Sequence, residues 1–291
     1  MPAPGETVLQ RIDRIQLVVG DLDAGARPFE RLLGAALARE DRLRALGARR
    51  RVLRLGTGEL ELLAPDGAGP VADRMARRGG GLFAAGVSAD DPAALRARLA
   101  AAGVPVAAES GQLFVDLDPA GLPGLRLVVS QEARREPVGR LRALYESTLL
   151  VPDAGAAARR FAELLGLDAG GFVPIRSADY GYDGTLTLFR PERLDRLEIV
   201  TPFDLGKTMG RFFARHGPSL YMAYAECDDT AGLREALEQE APRDWTGPRA
   251  GAAPDNLFLH PTALSGLLLG VSRTSFAWTW SGRPERVRAA G

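Results

Sequence analysis

The stretch VVGDLDAGARPFERLLG at residues 18–34 recurs as LVPDAGAAARRFAELLG at residues 150–166. The alignment matches Asp21 to Asp153, so the two copies lie 132 positions apart. An internal repeat of this kind means that one structural unit has been duplicated and that both copies share a fold. The sequence therefore predicts two related domains.

Two later segments are repeated as well. VADRMARRGGGLF at residues 71–83 matches MGRFFARHGPSLY at residues 209–221. DPAGLPGLRLVVS at residues 118–130 matches HPTALSGLLLGVS at residues 260–272. The duplication therefore extends over most of the chain.

Each half is predicted to contain the same order of elements twice. RIDRIQLVVGDL at residues 11–22 alternates as a strand does, and AGARPFERLLG at residues 24–34 has apolar residues at helical spacing. Strand-like segments follow this helix, and the other three quarters of the repeat show the same order. The predicted fold class is α+β, with four βαβββ modules paired into two domains.

The domain boundaries are predicted from these modules. They are an N-terminal domain at residues 1–131, a charged linker at 132–141, a C-terminal domain at 142–274 and an aromatic extension at 275–291. In the extension, Phe276, Trp278 and Trp280 fall on one face of an extended segment, which favours an edge strand over a pocket lid. SADYGYDG at residues 177–184 predicts a protruding hairpin or loop.

Composition narrows the class of protein. The 291 residues are 46% hydrophobic, carry zero formal net charge and include one cysteine. Neither nucleic acid nor a membrane surface is expected as a partner, because no basic run is interleaved with aromatic residues. Without a long apolar stretch or a signal-peptide pattern, a cytoplasmic location is expected.

The pattern resembles the vicinal oxygen chelate superfamily, which includes glyoxalase I, methylmalonyl-CoA epimerase, extradiol dioxygenases and bleomycin resistance proteins. The residues that carry the resemblance are IDRIQLVVGDLDAGARPFERLLG (12–34), LELLAPDGAGPVADRMARRGGGLFAAGVSADD (60–91), LEIVTP (197–202) and FLHPTALSGLLLGVS (258–272). They are most similar to the epimerase branch. The resemblance implies that each pair of modules rolls a mixed sheet into a cup.

In that family a divalent metal binds on the concave face of the cup, usually through two histidines and a glutamate. The corresponding positions in this chain are Arg14, Glu61, Ala84 and Val128 in the first domain, and Glu146, Glu198, Met222 and Gly270 in the second. Neither set contains a histidine, and two carboxylates without an imidazole hold a transition metal poorly. We therefore expect no metal and no other cofactor.

The first cup has two interpretations. Arg14 and Glu61 occupy neighbouring ligand positions with opposite charge. A buried ion pair that fills the space of the metal is favoured, because buried charges need partners. The alternative is that Arg14 anchors a carboxylate or phosphate of a substrate.

The second cup also has two interpretations. Glu146 and Glu198 are expected to converge, so that one of them has a raised pKa and serves in acid–base chemistry. In the alternative, Arg196 pairs with Glu198 and leaves Glu146 hydrated at the mouth of the cup. The predicted substrate-binding residues of this domain are Thr148, Arg196, Met222, Tyr224, His260, Ser272, Trp278 and Trp280. For His260, a structural role in its turn and proton sharing with the glutamates both stay open.

Three functions follow as hypotheses, each with a small organic molecule as partner, and aromatic compounds are among the candidates. The first is a metal-independent isomerase, epimerase or lyase that moves a proton next to a carbonyl, with Glu146 as base and Glu198 as acid. The second is a non-catalytic drug- or metabolite-binding protein of the bleomycin-resistance type. The third is a metal-dependent lyase or dioxygenase whose displaced ligands are Glu146, Glu198 and His260. Either a monomer or a homodimer is compatible with two paired domains.

Overall fold

A computed structural model describes residues 9–289 of the chain. The elements of the first half are β1 (Leu9–Val18), α1 (Leu22–Leu33), β2 (Ala36–Leu43), β3 (Ala48–Leu55), β4 (Gly58–Pro65), α2 (Pro70–Arg78), β5 (Gly81–Ala89), α3 (Pro92–Ala101), β6 (Val106–Glu109), β7 (Gln112–Asp116) and β8 (Arg126–Gln131). Those of the second half are β9 (Ala143–Leu150), α4 (Ala154–Leu165), β10 (Val173–Ser177), β11 (Tyr182–Leu188), β12 (Arg196–Pro202), α5 (Thr208–His216), β13 (Ser219–Cys227), α6 (Thr230–Glu240), β14 (Trp245–Thr246), β15 (Asn256–Leu259) and β16 (Leu268–Arg273). Residues 1–8 of the predicted first domain and 290–291 of the predicted extension lie outside the described residues.

The strands form two eight-stranded mixed sheets. Their orders are β2-β3-β4-β1-β5-β8-β7-β6 and β10-β11-β12-β9-β13-β16-β15-β14. In every module the first strand runs parallel to the last, while the remaining pairs within the module are antiparallel. The predicted α+β class, with four βαβββ modules in two cup-shaped sheets, is confirmed.

The repeated helices α1 and α4 begin and end in the same way. Asp21 accepts a hydrogen bond from the backbone N–H of the third residue after it, and Asp153 does the same. Such caps satisfy amide groups that have no partner within the helix. Both helices end at a glycine in the left-handed region, Gly34 with φ 68° and Gly166 with φ 73°. Of the helices within residues 9–289, none is long and apolar enough to cross a membrane.

Contacts divide the described residues into two compact units. The first contains residues up to 12, 84–133 and 146–221, and the second contains residues 13–83, 134–145 and from 222 onward. The first compact unit therefore combines most of the second and third modules, and the second combines most of the first and fourth. The sheets follow the two halves of the chain, whereas the domain boundaries at 131 and 142 stay a prediction.

Within each compact unit, one helix from each half of the chain meets another. In the first unit the guanidinium of Arg98 on α3 donates to the carbonyl oxygens of Leu164, at 2.9 Å, and of Glu163, at 2.7 Å, on α4. In the second unit Arg31 on α1 pairs with Glu240 on α6 at 3.1 Å. Modules from both halves thus contribute to each packed unit.

The strands β9 and β12 lie side by side in the interior of the second sheet. Seven of the eight residues of β9 and six of the seven residues of β12 are buried. Parallel strands covered on both faces normally carry apolar residues throughout. Polar side chains on these two strands are therefore exceptional and need partners.

The two irregular segments differ in how well they were predicted. The hairpin expected at residues 177–184 is confirmed, because β10 and β11 pair antiparallel around an exposed turn. The prediction of an extended segment after residue 275 is wrong, since Phe276–Thr279 form a 3₁₀ helix. Ser275 adopts a left-handed φ of 69°, which turns the chain there. Trp278 is consequently buried beneath the guanidinium of Arg286, 4.8 Å from its ring centroid.

Candidate functional site

Four of the predicted site residues lie on one face of β9 and β12. The parallel register places Glu146 beside Arg196 and Thr148 beside Glu198. Side chains at alternate positions of a strand point to the same face, so all four share that face. They are buried, with exposed fractions of 2% for Glu146 and 4% for Glu198. The two glutamates therefore sit close together and away from water.

Hydrogen bonds connect these residues into a network. Arg196 Nε donates to Glu146 Oε2 at 2.6 Å, and Thr148 Oγ1 donates to Glu198 Oε2 at 2.6 Å. The same hydroxyl lies 3.5 Å from Glu146 Oε1. Tyr182 on β11 also forms a hydrogen bond with Glu198. We call these five residues the Glu146–Glu198 cluster.

The alternative pairing of Arg196 with Glu198 is wrong. The guanidinium bonds to Glu146, which is its direct neighbour across the strand pair. Glu198 lies two residues further along β12, beside Thr148, and takes its hydrogen bonds from hydroxyl groups instead. The charge of Glu146 is accordingly compensated by Arg196, whereas Glu198 has no ion pair as close as this one.

Burial and, to a lesser extent, the charge of Glu146 together raise the pKa of Glu198 to about 8. The hydrogen bonds from Thr148 and Tyr182 and the charge of Arg196 act in the opposite direction but do not outweigh these two effects. Glu198 is therefore mostly protonated at neutral pH. A carboxylic acid of this kind can donate a proton, which an ordinary glutamate at pH 7 cannot do.

Tyr182 was not among the predicted site residues. Burial and the two glutamates raise the pKa of its hydroxyl, so the side chain stays neutral and can donate a hydrogen bond. The sequence signal was available, because Tyr182 pairs with Pro202, four residues after Glu198 on β12. Even spacing along a strand returns a side chain to the same face. The sequence predicts a protruding hairpin or loop around Tyr182 and does not fix its register against β12, which concealed this.

Apolar side chains pack against Tyr182 on the other side. Buried Met209 of α5 joins a cluster there, and the aromatic rings of α5 lie beside it, Phe212 being 4.9 Å from the ring of Tyr221. The members of this α5 apolar cluster are buried or half-buried; they are Leu150, Ile175, Tyr182, Val200, Met209, Phe212, Phe213 and Tyr221. The residues of the Glu146–Glu198 cluster thus bond to one another on one side and, through Tyr182, adjoin apolar side chains on the other.

A second buried charged cluster, in the second compact unit, occupies the equivalent strands of the first sheet. Arg14 Nη1 lies 2.8 Å from both Glu59 Oε2 and Glu61 Oε1. Glu61 also accepts hydrogen bonds from Gln16, at 2.7 Å, and from Arg50, at 3.2 Å. The predicted ion pair between Arg14 and Glu61 is confirmed. Because its charges are compensated within the cluster, it fits a structural role rather than an anchor for a substrate.

A surface depression of about 650 Å³ lies at the N-terminus of α4. Its walls include residues 152–155 and parts of β10 and β11, among them Arg176 and Asp183. These two form an exposed ion pair at 3.0 Å. None of the five residues of the Glu146–Glu198 cluster lines it. The depression therefore does not qualify as the candidate site.

Comparison with known proteins shows which fold this chain has. The glyoxalase-like domain family matches residues 12–126. A mutant of 4-hydroxymandelate synthase from Streptomyces coelicolor is 16% identical with a TM-score of 0.65, over 91% of this chain and 93% of that one. The chain has the vicinal oxygen chelate fold. Its first half carries a glyoxalase-like domain.

A second solved structure shows a similar overall likeness, and a third matches only part of this chain with a low TM-score. A fusion of a xylose isomerase-like TIM barrel with a 4-hydroxyphenylpyruvate dioxygenase is 13% identical with a TM-score of 0.61, over 93% of this chain and 49% of that one. Methylmalonyl-CoA epimerase from Mycobacterium tuberculosis is 23% identical with a TM-score of 0.39, over 46% of this chain and 93% of that one. Among curated proteins no sequence matches. Identities this low establish the fold and leave the activity open.

The positions that hold a metal in relatives with the vicinal oxygen chelate fold do not fit one here. In the first sheet the guanidinium of Arg14 lies against Glu61, at the place of a cation. In the second sheet Arg196 does the same to Glu146. Within residues 9–289, no three His, Cys, Asp or Glu side chains are grouped as metal ligands. We therefore derive no chemistry through a metal.

Three more predicted site residues, Met222, Tyr224 and Ser272, belong to the second compact unit. The ring of Tyr224 lies 5.9 Å from that of Tyr145, whose hydroxyl is 3.2 Å from Ser272 Oγ. A Cβ at Gly270 would lie 2.1 Å from the ring of Tyr224, so this former ligand position makes room for an aromatic ring. Tyr224 and Ser272 therefore pack around Tyr145, and Met222 is buried on the same strand as Tyr224.

His260 has its own partners in the second compact unit. Its Nε2 lies 2.7 Å from Thr246 Oγ1, and its backbone N–H donates to Asp244 O at 2.8 Å. These contacts favour the structural interpretation of the turn. Trp278 belongs to the 3₁₀ helix, and Trp280 directly follows it. The ring of Trp280 lies edge-on to that of Phe276, with ring centroids 5.6 Å apart. The residues that the structure brings together at the candidate site are thus Glu146, Thr148, Arg196 and Glu198, with Tyr182 added.

The charge balance around Glu61 yields a first prediction. Replacing Glu61 with Gln leaves Arg14 and Arg50 buried without their shared carboxylate. We expect the free energy of unfolding to fall by about 3 to 5 kcal/mol, the usual cost of breaking a buried pair. Urea denaturation measures it.

The matched control is Glu163→Gln, because the Glu163 side chain is 65% exposed and pairs with Arg160 on the surface. This variant should change the free energy of unfolding by less than about 1 kcal/mol. Equal losses in both variants would contradict the structural role of the Arg14–Glu61 ion pair.

The raised pKa of Glu198 yields a second prediction. The folded protein keeps the Glu198 proton up to about pH 8, whereas the unfolded chain releases it near its ordinary pKa of 4.5. The free energy of unfolding therefore falls as pH rises across this window, by about 1.4 kcal/mol per unit of pKa difference. We expect Glu198→Gln to remove most of this fall, measured by urea denaturation across the window.

Asp195 needs separate treatment in that experiment. Burial raises its pKa to about 6, so it contributes the same sign of pH dependence at lower pH in both proteins. The comparison is therefore made above about pH 6, where Glu198 alone of these two still titrates. Identical pH profiles of wild type and Glu198→Gln in that range would show that Glu198 is not protonated in the fold.

Proposed function

We propose that this protein is a metal-independent enzyme that moves a proton next to a carbonyl group of a small organic molecule. The observation that carries the proposal is a buried Glu198 carboxyl with a raised pKa, bonded to Thr148 and Tyr182, beside a Glu146 that is paired with Arg196. Two carboxyl groups whose environments push their proton affinities apart are the usual arrangement of a general acid and a general base.

The two glutamates take different roles. Glu146, whose charge is compensated by Arg196, acts as the base and removes a proton from the carbon next to the carbonyl. Glu198 acts as the acid and gives its proton to the carbonyl oxygen, so that an enol forms without a net change in charge. A pKa of about 8 suits this task, because acid catalysis is most efficient when the pKa lies near the working pH.

Hydroxyl groups support this transfer. Thr148 Oγ1 lies between the glutamates, 2.6 Å from Glu198 and 3.5 Å from Glu146. A hydroxyl both donates and accepts, so Thr148 can pass a proton between the two carboxyl groups and reset them. Tyr182 donates a hydrogen bond at the other side of Glu198. Return of the proton to the substrate at a different position or face gives isomerisation or epimerisation, and loss of a leaving group gives elimination.

The non-catalytic alternative fits the cluster less well. A protein that sequesters a cationic drug needs a carboxylate whose charge is free for the ligand. Here Arg196 already neutralises Glu146, and Glu198 is protonated near neutral pH. The geometry therefore favours proton transfer on an uncharged group. A cytoplasmic location and a monomeric or homodimeric state stay predictions.

The proposed roles are tested with Glu146→Gln and Glu198→Gln. Wild-type protein in D₂O should catalyse exchange of the hydrogen next to the carbonyl in at least one member of a panel of ketones and thioesters, followed by ¹H NMR. Each variant removes one proton-transfer group, so each should slow this exchange by about 100-fold or more. Above about pH 8 the wild-type rate should also fall, because Glu198 loses its proton.

Two controls belong to this test. Glu163→Gln lies on the surface and should keep full activity. Glu198→Gln is the safer variant for folding, because its amide resembles the neutral acid, whereas Glu146→Gln leaves Arg196 without its carboxylate. Full activity in both site variants would refute the proposal. A stoichiometric metal in protein purified without chelator, whose removal stops exchange, would favour the metal-dependent alternative.

A further inference from the structure

The helix α5 covers the apolar side of the Glu146–Glu198 cluster within the first compact unit. Met209 of α5 is buried against Tyr182, Leu150 and Val200. Tyr182 in turn bonds to Glu198. Tyr182 thus lies between the start of α5 and the neutral carboxyl of Glu198. It packs with apolar side chains and also forms a hydrogen bond with that carboxyl.

α5 is attached to the rest of the unit by few buried residues. Of its nine residues, only Met209 and Gly210 are buried. Lys207, which precedes the helix, provides no side-chain cap. By comparison, α4 buries seven of its twelve residues and has the Asp153 cap. Elements with few buried contacts open at low cost in free energy, so α5 is suited to move as a cover.

Exposed apolar side chains surround the start of α5. Phe203 and Leu205 are 46% and 55% exposed in the segment before the helix, and Tyr180 is 56% exposed in the adjoining hairpin. The two segments are joined, because Phe203 N–H donates to Gly181 O at 2.9 Å. Three of the four most exposed large apolar residues among residues 9–289 therefore lie together at the edge of the cover. An apolar ligand would meet this edge first.

The repeat provides an internal comparison. α2 occupies the position of α5 in the first half, and the alignment matches Arg74 to Phe212 and Val71 to Met209. Arg74 donates to the carbonyl oxygen of Gly80 at 3.2 Å and closes the end of its helix. Only the second copy of the helix has an aromatic pair there, and the strands of that half carry the Glu198 carboxyl with its raised pKa. The aromatic residues of α5 and the acid Glu198 therefore occur in the same half of the chain.

The charges of the site indicate what kind of molecule fits beneath α5. Glu146 and Arg196 cancel one another, and Tyr182 is a neutral donor. A phenol and a neutral carboxylic acid in an apolar site are together a known means of stabilising an enolate-like oxygen. A charged ligand would find no uncompensated partner in this cluster.

We propose that the space now filled by the Met209 side chain beneath α5 binds an uncharged, apolar carbonyl compound, which enters by displacing α5 and accepts hydrogen bonds at its oxygen from Tyr182 and Glu198. The inference rests on the proposed function and names its substrate class. The carbon skeleton of the ligand replaces the contacts of Met209 with Leu150 and Val200.

The test compares two probes that differ by one hydroxyl group, 2-naphthol and naphthalene, by fluorescence titration of the whole chain. The oxygen of 2-naphthol stands in for that of an enol. Wild-type protein should bind 2-naphthol about tenfold more tightly than naphthalene, the effect of a hydrogen bond to a buried donor. Tyr182→Phe keeps the ring and should remove most of this preference.

A second pair of variants tests the position beneath α5. Met209→Ala removes the side chain that the ligand displaces, so it should tighten binding of both probes by about tenfold. Val71→Ala makes the equivalent change beneath α2 and should leave both affinities unchanged. Circular dichroism confirms that each variant is folded.

The outcomes distinguish this inference from the proposed function. Equal affinity for both probes in wild type, a preference that survives Tyr182→Phe, or equal effects of Met209→Ala and Val71→Ala would overturn the binding site. Selective binding of 2-naphthol without any hydrogen exchange on carbonyl compounds would support the binding site and refute catalysis. Hydrogen exchange on carbonyl compounds without a preference for 2-naphthol would support the proposed proton transfer and refute the binding site beneath α5.

Discussion

The ion pair between Arg196 and Glu146 is the interaction on which the candidate site depends. Both side chains are buried, and the 2.6 Å contact compensates the charge of each. A second carboxylate beside this pair would have no cation of its own in a medium that solvates charge poorly. Glu198 therefore keeps its proton. Of the two glutamates, Glu146 is charged and Glu198 is neutral.

The duplicated sheet shows how little change separates a structural cluster from a candidate active site. In the first half, arginines surround Glu61, and Arg14 and Arg50 both bond to it. In the second half, one arginine bonds to Glu146, and a hydroxyl group bonds to Glu198 instead. The partners of the buried glutamates, rather than the fold, distinguish the two copies.

Much of the architecture could be predicted from the sequence, because duplication and strand alternation are local patterns. These patterns place Glu146 and Glu198 on one face, and they match Asp21 to Asp153. The partner of Arg196 could not be predicted, since it depends on the register of β9 against β12. The packing of α5 and the 3₁₀ turn after Ser275 depend on tertiary contacts, which override local patterns.

A direct measurement of the Glu198 pKa tests the central claim. Carbon-13 NMR of protein labelled at the glutamate carboxyl carbons follows each group through a pH titration, and Glu198→Gln assigns the signal by its loss. We predict one glutamate that titrates at about pH 8 in wild type and is absent from the variant. If every glutamate carboxyl titrates near the ordinary pKa of 4.5, Glu198 is ionised at neutral pH and the account is wrong.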